Sequence, residues 1–219
     1  MAAPASHLRG SQRQNAVMTI EVEAKFLITE LSQLLANADA LGFQFPANSV
    51  LEQDEYFNHP ARDFRQTDEA LRIRRIGSEL ILTWKGPRLD ALSKSRRELE
   101  VPFDVPADDI ETKLQTLTEI LLALGFTHSG SVRKLRRSAA LTFEGRLFHC
   151  SLDDVIGLPL HAEIETLASE EQRHEALQSL LRLAKRLNLQ QQERRSYLEL
   201  VLTSNHDDSV QPPPDARSL

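Results

Sequence analysis

A chain of 219 residues with 41% hydrophobic and only 5% aromatic side chains is long enough to bury one sizeable core and too apolar for disorder. Its 26 basic and 32 acidic residues leave a net charge of -6, which excludes a global basic field for nucleic acid and confines any polyanion site to a local patch. No apolar run approaches the ~20 residues of a membrane span, and the single Cys150 cannot close an internal disulfide, so a reducing cytoplasm is the expected setting, with neither nucleic acid nor membrane as partner.

Residues 1–17 hold no acid, two arginines and scattered Ser, Gln and Ala; they read as a flexible leader, with a transit peptide as the alternative and Met18 standing just before the first strand pattern. Residues 20–28 alternate, with Glu21, Glu23 and Lys25 on one face and Val22, Ala24 and Phe26 on the other. A helix is predicted over 29–41, from Thr29 as N-cap to the stop at Gly42. Strands over 69–76, 79–85 and 96–104 then put Arg72 and Arg74, Lys85, and Glu98 and Glu100 on their polar faces.

A second helix over 107–124 carries the stripe Ile110, Leu114, Leu117, Leu121 and Leu124 before Gly125. The next three strands, 131–142, 146–155 and 160–167, align Lys134 with Arg136, Asp153 with His149 and Ser151, and Glu163 and Glu165 with His161. A third helix opens at Ser169, whose Gln172 three places on makes a capping-box pattern, and runs to Leu187. A last strand is predicted over 195–202, and residues 204–219, with Asp207-Asp208 and Pro212-Pro213-Pro214, read as a disordered tail. About eight strands and three helices in no regular alternation give an α+β fold over residues 18–203, with a mostly antiparallel sheet. The first two helices both end in Leu-Gly-Phe, at 41–43 and 124–126, a faint sign of a two-half design.

Period two collects seven acids (Glu21, Glu23, Glu98, Glu100, Asp153, Glu163, Glu165) and six bases (Lys25, Arg72, Arg74, Lys85, Lys134, Arg136) on polar strand faces. Such faces can simply meet solvent, where cross-strand pairs give about 0.2–1 kcal/mol each and carry no function. The other geometry is a sheet closed on itself with its charges inward and its apolar face under the helices. So many desolvated charges need a water-filled interior and an ionic guest. Neighbouring carboxylates suit Mg²⁺, and arginines and lysines suit phosphate oxygens, so both together imply a metal-bridged polyphosphate. His161 in its strand reads as an ordinary strand histidine, no zinc-like spacing is present, and no glycine-rich phosphate loop suggests a P-loop nucleotidase.

Glu21-Val22-Glu23-Ala24-Lys25 resembles the ExExK signature of the CYTH superfamily, the triphosphate tunnel metalloenzymes that include class IV adenylyl cyclases and thiamine triphosphatases. The resemblance extends in order through Asp54-Glu55-Tyr56-Phe57, Leu71-Arg72-Ile73-Arg74, Leu82-Thr83-Trp84-Lys85-Gly86-Pro87, Arg97-Glu98-Leu99-Glu100, Lys134-Leu135-Arg136-Arg137, Leu152-Asp153-Asp154-Val155 and Glu163-Ile164-Glu165. It implies a closed eight-stranded tunnel with a charged interior, flanked by about three helices. Carried over residue by residue, Lys25, Arg72, Arg74, Lys85, Lys134 and Arg136 would bind phosphate, while Glu21, Glu23, Glu163 and Glu165, with Asp153 nearby, would hold Mg²⁺ or Mn²⁺. Two positions depart from the family pattern: Pro159 replaces the second glycine of a Gly-Leu-Gly, and Asn58 stands where an Asp often follows the Tyr-Phe pair.

The stretch Leu82 to Glu100 is most similar to the class IV adenylyl cyclase branch, which implies ATP as substrate and cyclic AMP and pyrophosphate as products, with Lys85 and Arg136 offsetting charge on the leaving group. The alternative is a hydrolase of inorganic tripolyphosphate or thiamine triphosphate, in which Tyr56 and Lys85 match a water-activating pair. A polyphosphate-binding module without catalysis is the third reading, and the retained glutamates argue against it. A homodimer is common among such folds.

Overall fold

The computed structural model describes residues 20–89 and 95–207; the leader, residues 90–94 and the tail beyond 207 lie outside them. In chain order the elements are β1 (Ile20–Leu27), α1 (Leu31–Leu41), β2 (Val50–Asn58), α2 (Phe64–Thr67), β3 (Ala70–Ile76), β4 (Glu79–Lys85) and β5 (Glu98–Asp104). They continue with α3 (Ile110–Ala123), β6 (Thr127–Phe143), β7 (Arg146–Val155), β8 (His161–Ala168), α4 (Arg173–Arg186), β9 (Gln191–Glu193) and α5 (Tyr197–Asp207). The strands form one antiparallel sheet in the order β5-β4-β3-β2-β6-β7-β8-β1-β9.

The α+β class and the antiparallel sheet are as the sequence reading has them, but the sheet has nine strands and no ladder closes it among the described residues. Its ends do approach one another. The free edge of β1 meets the chain just before β5 in a single antiparallel bridge, with Arg96 N–H donating to the Glu21 carbonyl at 3.3 Å. The charged face is therefore concave and nearly encircled.

Two of the differences from the sequence reading concern strands. Residues 50–58 form β2, paired on both sides, although Glu52, Gln53, Asp54 and Glu55 in its middle have low strand propensity. The predicted strand over 195–202 is instead the start of α5. Its alternation is too short to separate strand from helix, and Ser196-Tyr197-Leu198-Glu199 is a capping box: Glu199 N–H donates to Ser196 Oγ at 3.1 Å while Ser196 N–H donates to Glu199 Oε2 at 2.6 Å. Residues Ser204 to Asp207, assigned to the tail, finish this helix. The N-termini of α1, α3 and α4 also fall two to four residues later than predicted, at Leu31, Ile110 and Arg173.

The Leu-Gly-Phe echo is one termination device used twice. Gly42 at φ 94 and Gly125 at φ 91 adopt the left-handed conformation that glycine tolerates, and the following Phe43 and Phe126 N–H groups reach back to Ala38 and Leu121 carbonyls. Each phenylalanine enters a different core. α1 and α4 cover β1, β7 and β8 around Val22, Ala24, Phe148, Cys150 and Ile164, whereas α3 covers β3 and β4 around Ile73 and Leu80. A third, small cluster of Val132, Val155, Tyr197 and Leu200 seats α5. Val132 shares a face with Lys134 and Val155 with Asp153, so α5 packs against one end of the concave, charged face. No helix among the described residues is long and apolar enough to cross a membrane.

Candidate active site: a two-walled charged cavity

One wall is basic and rests on buried acids. From β3, Arg74 donates through Nε and Nη2 to the two oxygens of Asp54 at 2.6 and 2.7 Å, and its Nη1 lies 3.0 Å from Glu52; both acids come from β2. Arg72 lies 3.5 Å from Asp54. From β6, Lys134 pairs with Glu52 at 3.1 Å, and Arg136 donates through Nε and Nη2 to Asp153 of β7 at 2.6 and 2.5 Å while also pairing with Glu163. Burial disfavours the Asp54 charge, but Arg72 and Arg74 outweigh it and hold the carboxyl well below the usual range. Lys134 is pulled down by burial and by the Arg136 and Arg74 charges.

The other wall is acidic and less balanced. In the β1–β8 register Glu23 lies opposite Glu165 and Lys25 opposite Glu163, so these side chains share the concave face with Glu21. Burial pushes the Glu165 carboxyl up to about 8, helped by the charges of Glu21 and Glu23. Across the gap, Lys85 of β4 pairs with both Glu98 of β5 and Glu21, the latter at 3.3 Å. Burial, then the hydrogen bond with Glu21, pushes Glu98 up to about 8; burial also works against Glu21, yet Lys85 holds it at about 2. Two carboxyls this close do not both ionise freely, so at neutral pH the pair holds one proton between them.

Crowded carboxylates of this kind suit a hard divalent ion. Among the described residues no three histidine, cysteine or carboxylate side chains converge into a ready cage. Mg²⁺ needs no such cage, because it keeps waters and shares substrate oxygens. The oxygen-only donor set of Glu21, Glu23, Glu163 and Glu165 therefore fits Mg²⁺ or Mn²⁺, and its mutual repulsion is what a cation would relieve.

Between the walls lies a cavity of about 280 Å³. Of the predicted residues, Glu21, Glu23, Tyr56, Arg72, Arg74, Lys85, Lys134, Arg136, Glu163 and Glu165 line it. Two do not. Asp153 is fully buried behind Arg136, and the fully buried Lys25 donates from Nζ to the Arg195 carbonyl at 2.6 Å. Tyr56 donates to Asp54 at 3.4 Å, and burial, then the Asp54 charge, pushes its phenol up, so it is a proton donor at neutral pH. Glu98 and Glu100 border the cavity, with Glu100 half exposed and accepting from Thr83 at 2.9 Å. His161 stands aside, bonded to the Pro159 carbonyl at 2.7 Å, and Asn58 accepts the Phe64 N–H at 2.8 Å to shape the α2 turn.

Sequence reading missed Glu52 and gave Asp54, quoted in the Asp54-Glu55-Tyr56-Phe57 motif, no role, though the two repeat the acid-x-acid spacing of β1. It also missed Tyr197, and Arg88, which grips Asp68 through Nε and Nη2 at 2.6 and 2.5 Å and donates to the Arg194 carbonyl at 3.0 Å, tying the β4–β5 connection to the segment before α5. Cys150 is inert, its thiol pushed up to about 12 by burial.

The CYTH domain profile matches residues 19–197. A protein of Methanocaldococcus jannaschii named putative adenylate cyclase is 36% identical over 83% of this chain and 98% of its own. A solved protein of Pyrococcus horikoshii is 36% identical with a TM-score of 0.70, covering 84% of this chain and 98% of its own. A Hippeastrum protein, named as a putative adenylyl cyclase that reveals a dominant triphosphatase activity, shares the fold at 19% identity and a TM-score of 0.56, over 85% of this chain and 96% of its own.

Proposed function

The chain belongs to the CYTH domain family, and from that premise we propose that it is a metal-dependent enzyme converting ATP to cyclic AMP and pyrophosphate. The observation that carries this reading is the pairing of a pre-ordered basic wall with a crowded carboxylate wall across one cavity, the arrangement a metal-bridged triphosphate requires. The nucleoside part of the substrate has support in Phe64, Leu198 and Leu202, which add apolar surface to the same cavity. Inorganic tripolyphosphate makes no use of such a surface. The relative named putative adenylate cyclase, at 36% identity over nearly its full length, points the same way.

In this reading Arg72, Arg74 and Lys134 take phosphate oxygens with the N–H donors that Asp54 and Glu52 leave over. Those acids fix the cations in advance, so little reorganisation is needed when substrate arrives. The 3′ hydroxyl gives up its proton to solvent as its oxygen attacks the α phosphorus, the bond to the bridging oxygen breaks, and charge collects on pyrophosphate facing Arg136 and Lys85. A bound Mg²⁺ or Mn²⁺ would supply Lewis acidity toward the hydroxyl and phosphate oxygens. Glu21, Glu23, Glu163 and Glu165 are the residues to hold it.

Hydrolysis of a triphosphate is the competing outcome, since a fold does not decide the reaction. Incubation of the purified chain with Mn²⁺ or Mg²⁺ and ATP, tripolyphosphate or thiamine triphosphate tests the two. Cyclic AMP plus pyrophosphate supports the cyclase; orthophosphate from tripolyphosphate without cyclic AMP replaces it with a triphosphatase. Binding without turnover under either metal would leave a polyphosphate-binding module.

A further inference from the structure

Tyr197, the first residue of α5, joins four strands of the cavity. It is only 7% exposed, and its phenol donates to Asp153 Oδ2 at 2.7 Å. Asp153, itself fully buried, is the carboxylate that receives both Nε and Nη2 of Arg136. One oxygen of Asp153 thus accepts from Tyr197 and Arg136 together, which fixes the carboxylate plane and, through it, the guanidinium. The face of the same ring covers the Lys25 ammonium, 3.9 Å from its centroid, and Lys134 stands 5.2 Å away. His161 packs edge-on at 5.7 Å. These polar and ring contacts come from β1, β6, β7 and β8.

The seat of α5 is built for close approach. Gly130 in β6 has φ +146, and a Cβ there would stand 2.8 Å from Leu198 Cδ1. A side chain there would have to push the tip of Leu198 aside and hold a positive φ that L residues rarely adopt, so glycine suits this seat of the helix.

We propose that Tyr197 is a positioning residue for the reaction: from outside the sheet it orients Arg136 through Asp153 and holds Lys25 and Lys134 against its ring. The kinetic part rests on the triphosphate reading above; the positioning part does not. Filling space alone would need no hydroxyl, and phenylalanine would serve equally well.

The test uses the full chain and a double-mutant cycle of Tyr197→Phe with Asp153→Asn, on whichever triphosphate the wild type turns over. Tyr197→Phe is expected to lower kcat about tenfold and change KM less than about twofold, since Arg136 remains present but loses its orientation as charge develops. On the Asp153→Asn background the same change should cost less than about twofold. Independent, multiplying losses, or an unchanged kcat, overturn the proposal. Lys25 gives a readout free of turnover. Tyr197→Leu should raise its acylation by a small N-hydroxysuccinimide ester several-fold by mass spectrometry, whereas Tyr197→Phe leaves it as in the wild type. Equal Lys25 reactivity in all three proteins refutes the ring's part; a chain that binds and converts no triphosphate, yet shows the Lys25 difference, refutes only the proposed function.

Discussion

The wall formed by β2, β3 and β6 and the wall formed by β1, β5 and β8 differ in how their charges are settled. In the first, every arginine named above has a buried carboxylate behind it: Asp54 for Arg72 and Arg74, Asp153 for Arg136. In the second, carboxylates crowd one another even with Lys85 against Glu21 and Glu98 and Arg136 against Glu163, and Glu165 and Glu98 are both pushed up to about 8 by burial and acidic neighbours. One wall is largely neutralised within the folded protein, and the other carries crowded carboxylates that the proposed metal would offset.

Removing a carboxylate from the second wall should cost activity and spare the fold. Glu23→Gln is expected to reduce metal-dependent turnover by about three orders of magnitude, the scale of losing Lewis-acid stabilisation worth several kcal/mol. Its melting temperature near pH 8 should stay level or rise, because one repelling charge is gone. Steady-state assays with Mn²⁺ beside calorimetry measure both, and full activity in this variant would make the two walls alike.

The same operation on the first wall should do the reverse. Asp54→Ala leaves Arg74 and Arg72 without their shared buried partner and is expected to destabilise the chain by about 3–5 kcal/mol in urea unfolding. A loss below about 1 kcal/mol would mean that the basic wall is solvated surface.

The acidic wall also predicts how metal and pH act together. A carboxyl whose folded pKa is raised, as in Glu165 and Glu98 from 4.5 to about 8, stabilises the fold fully below 4.5 and loses that contribution as pH rises through 8. The melting temperature of protein stripped with EDTA should therefore fall from pH 5 to 8. Saturating Mn²⁺ should flatten the fall and release protons on binding. A metal-free profile that is level or rises over this range would contradict the crowding.

How far the site was legible follows from what strand periodicity can carry. Parity alone put Glu21 with Glu23, Arg72 with Arg74, and Lys134 with Arg136 on shared faces, because alternation needs only neighbours in sequence. It could not reveal that Lys25 turns to the Arg195 carbonyl or that Asp153 lies behind Arg136, since both depend on elements far along the chain. Polar composition hid β2, and with it Glu52 and the role of Asp54 behind the arginines. Apolar alternation disguised α5, although the capping box at Ser196 was there to be read, and Tyr197 went with it. Sheet closure was inferred from charge, yet strand order comes from hydrogen bonding, and among the described residues that order leaves β5 and β9 as edges, with one bridge from Glu21 of β1 to Arg96 just before β5.

The smallest expected effect tests the register itself. Glu55 follows Asp54 directly, but in β2 the two point to opposite faces: Asp54 meets Arg74 inside, and Glu55 accepts from Ser131 Oγ at 2.5 Å and lies 2.7 Å from His128 Nε2 on the outside. These outer contacts are exposed, so Glu55→Gln should change unfolding free energy by no more than about 0.5 kcal/mol and leave kcat untouched. Because a one-residue slip exchanges the faces, a large loss at Glu55 together with a small one at Asp54 would place the acids of β2 on the wrong side. It would take the basic wall with them, since that register is what sets Arg72 and Arg74 against Asp54 and Glu52.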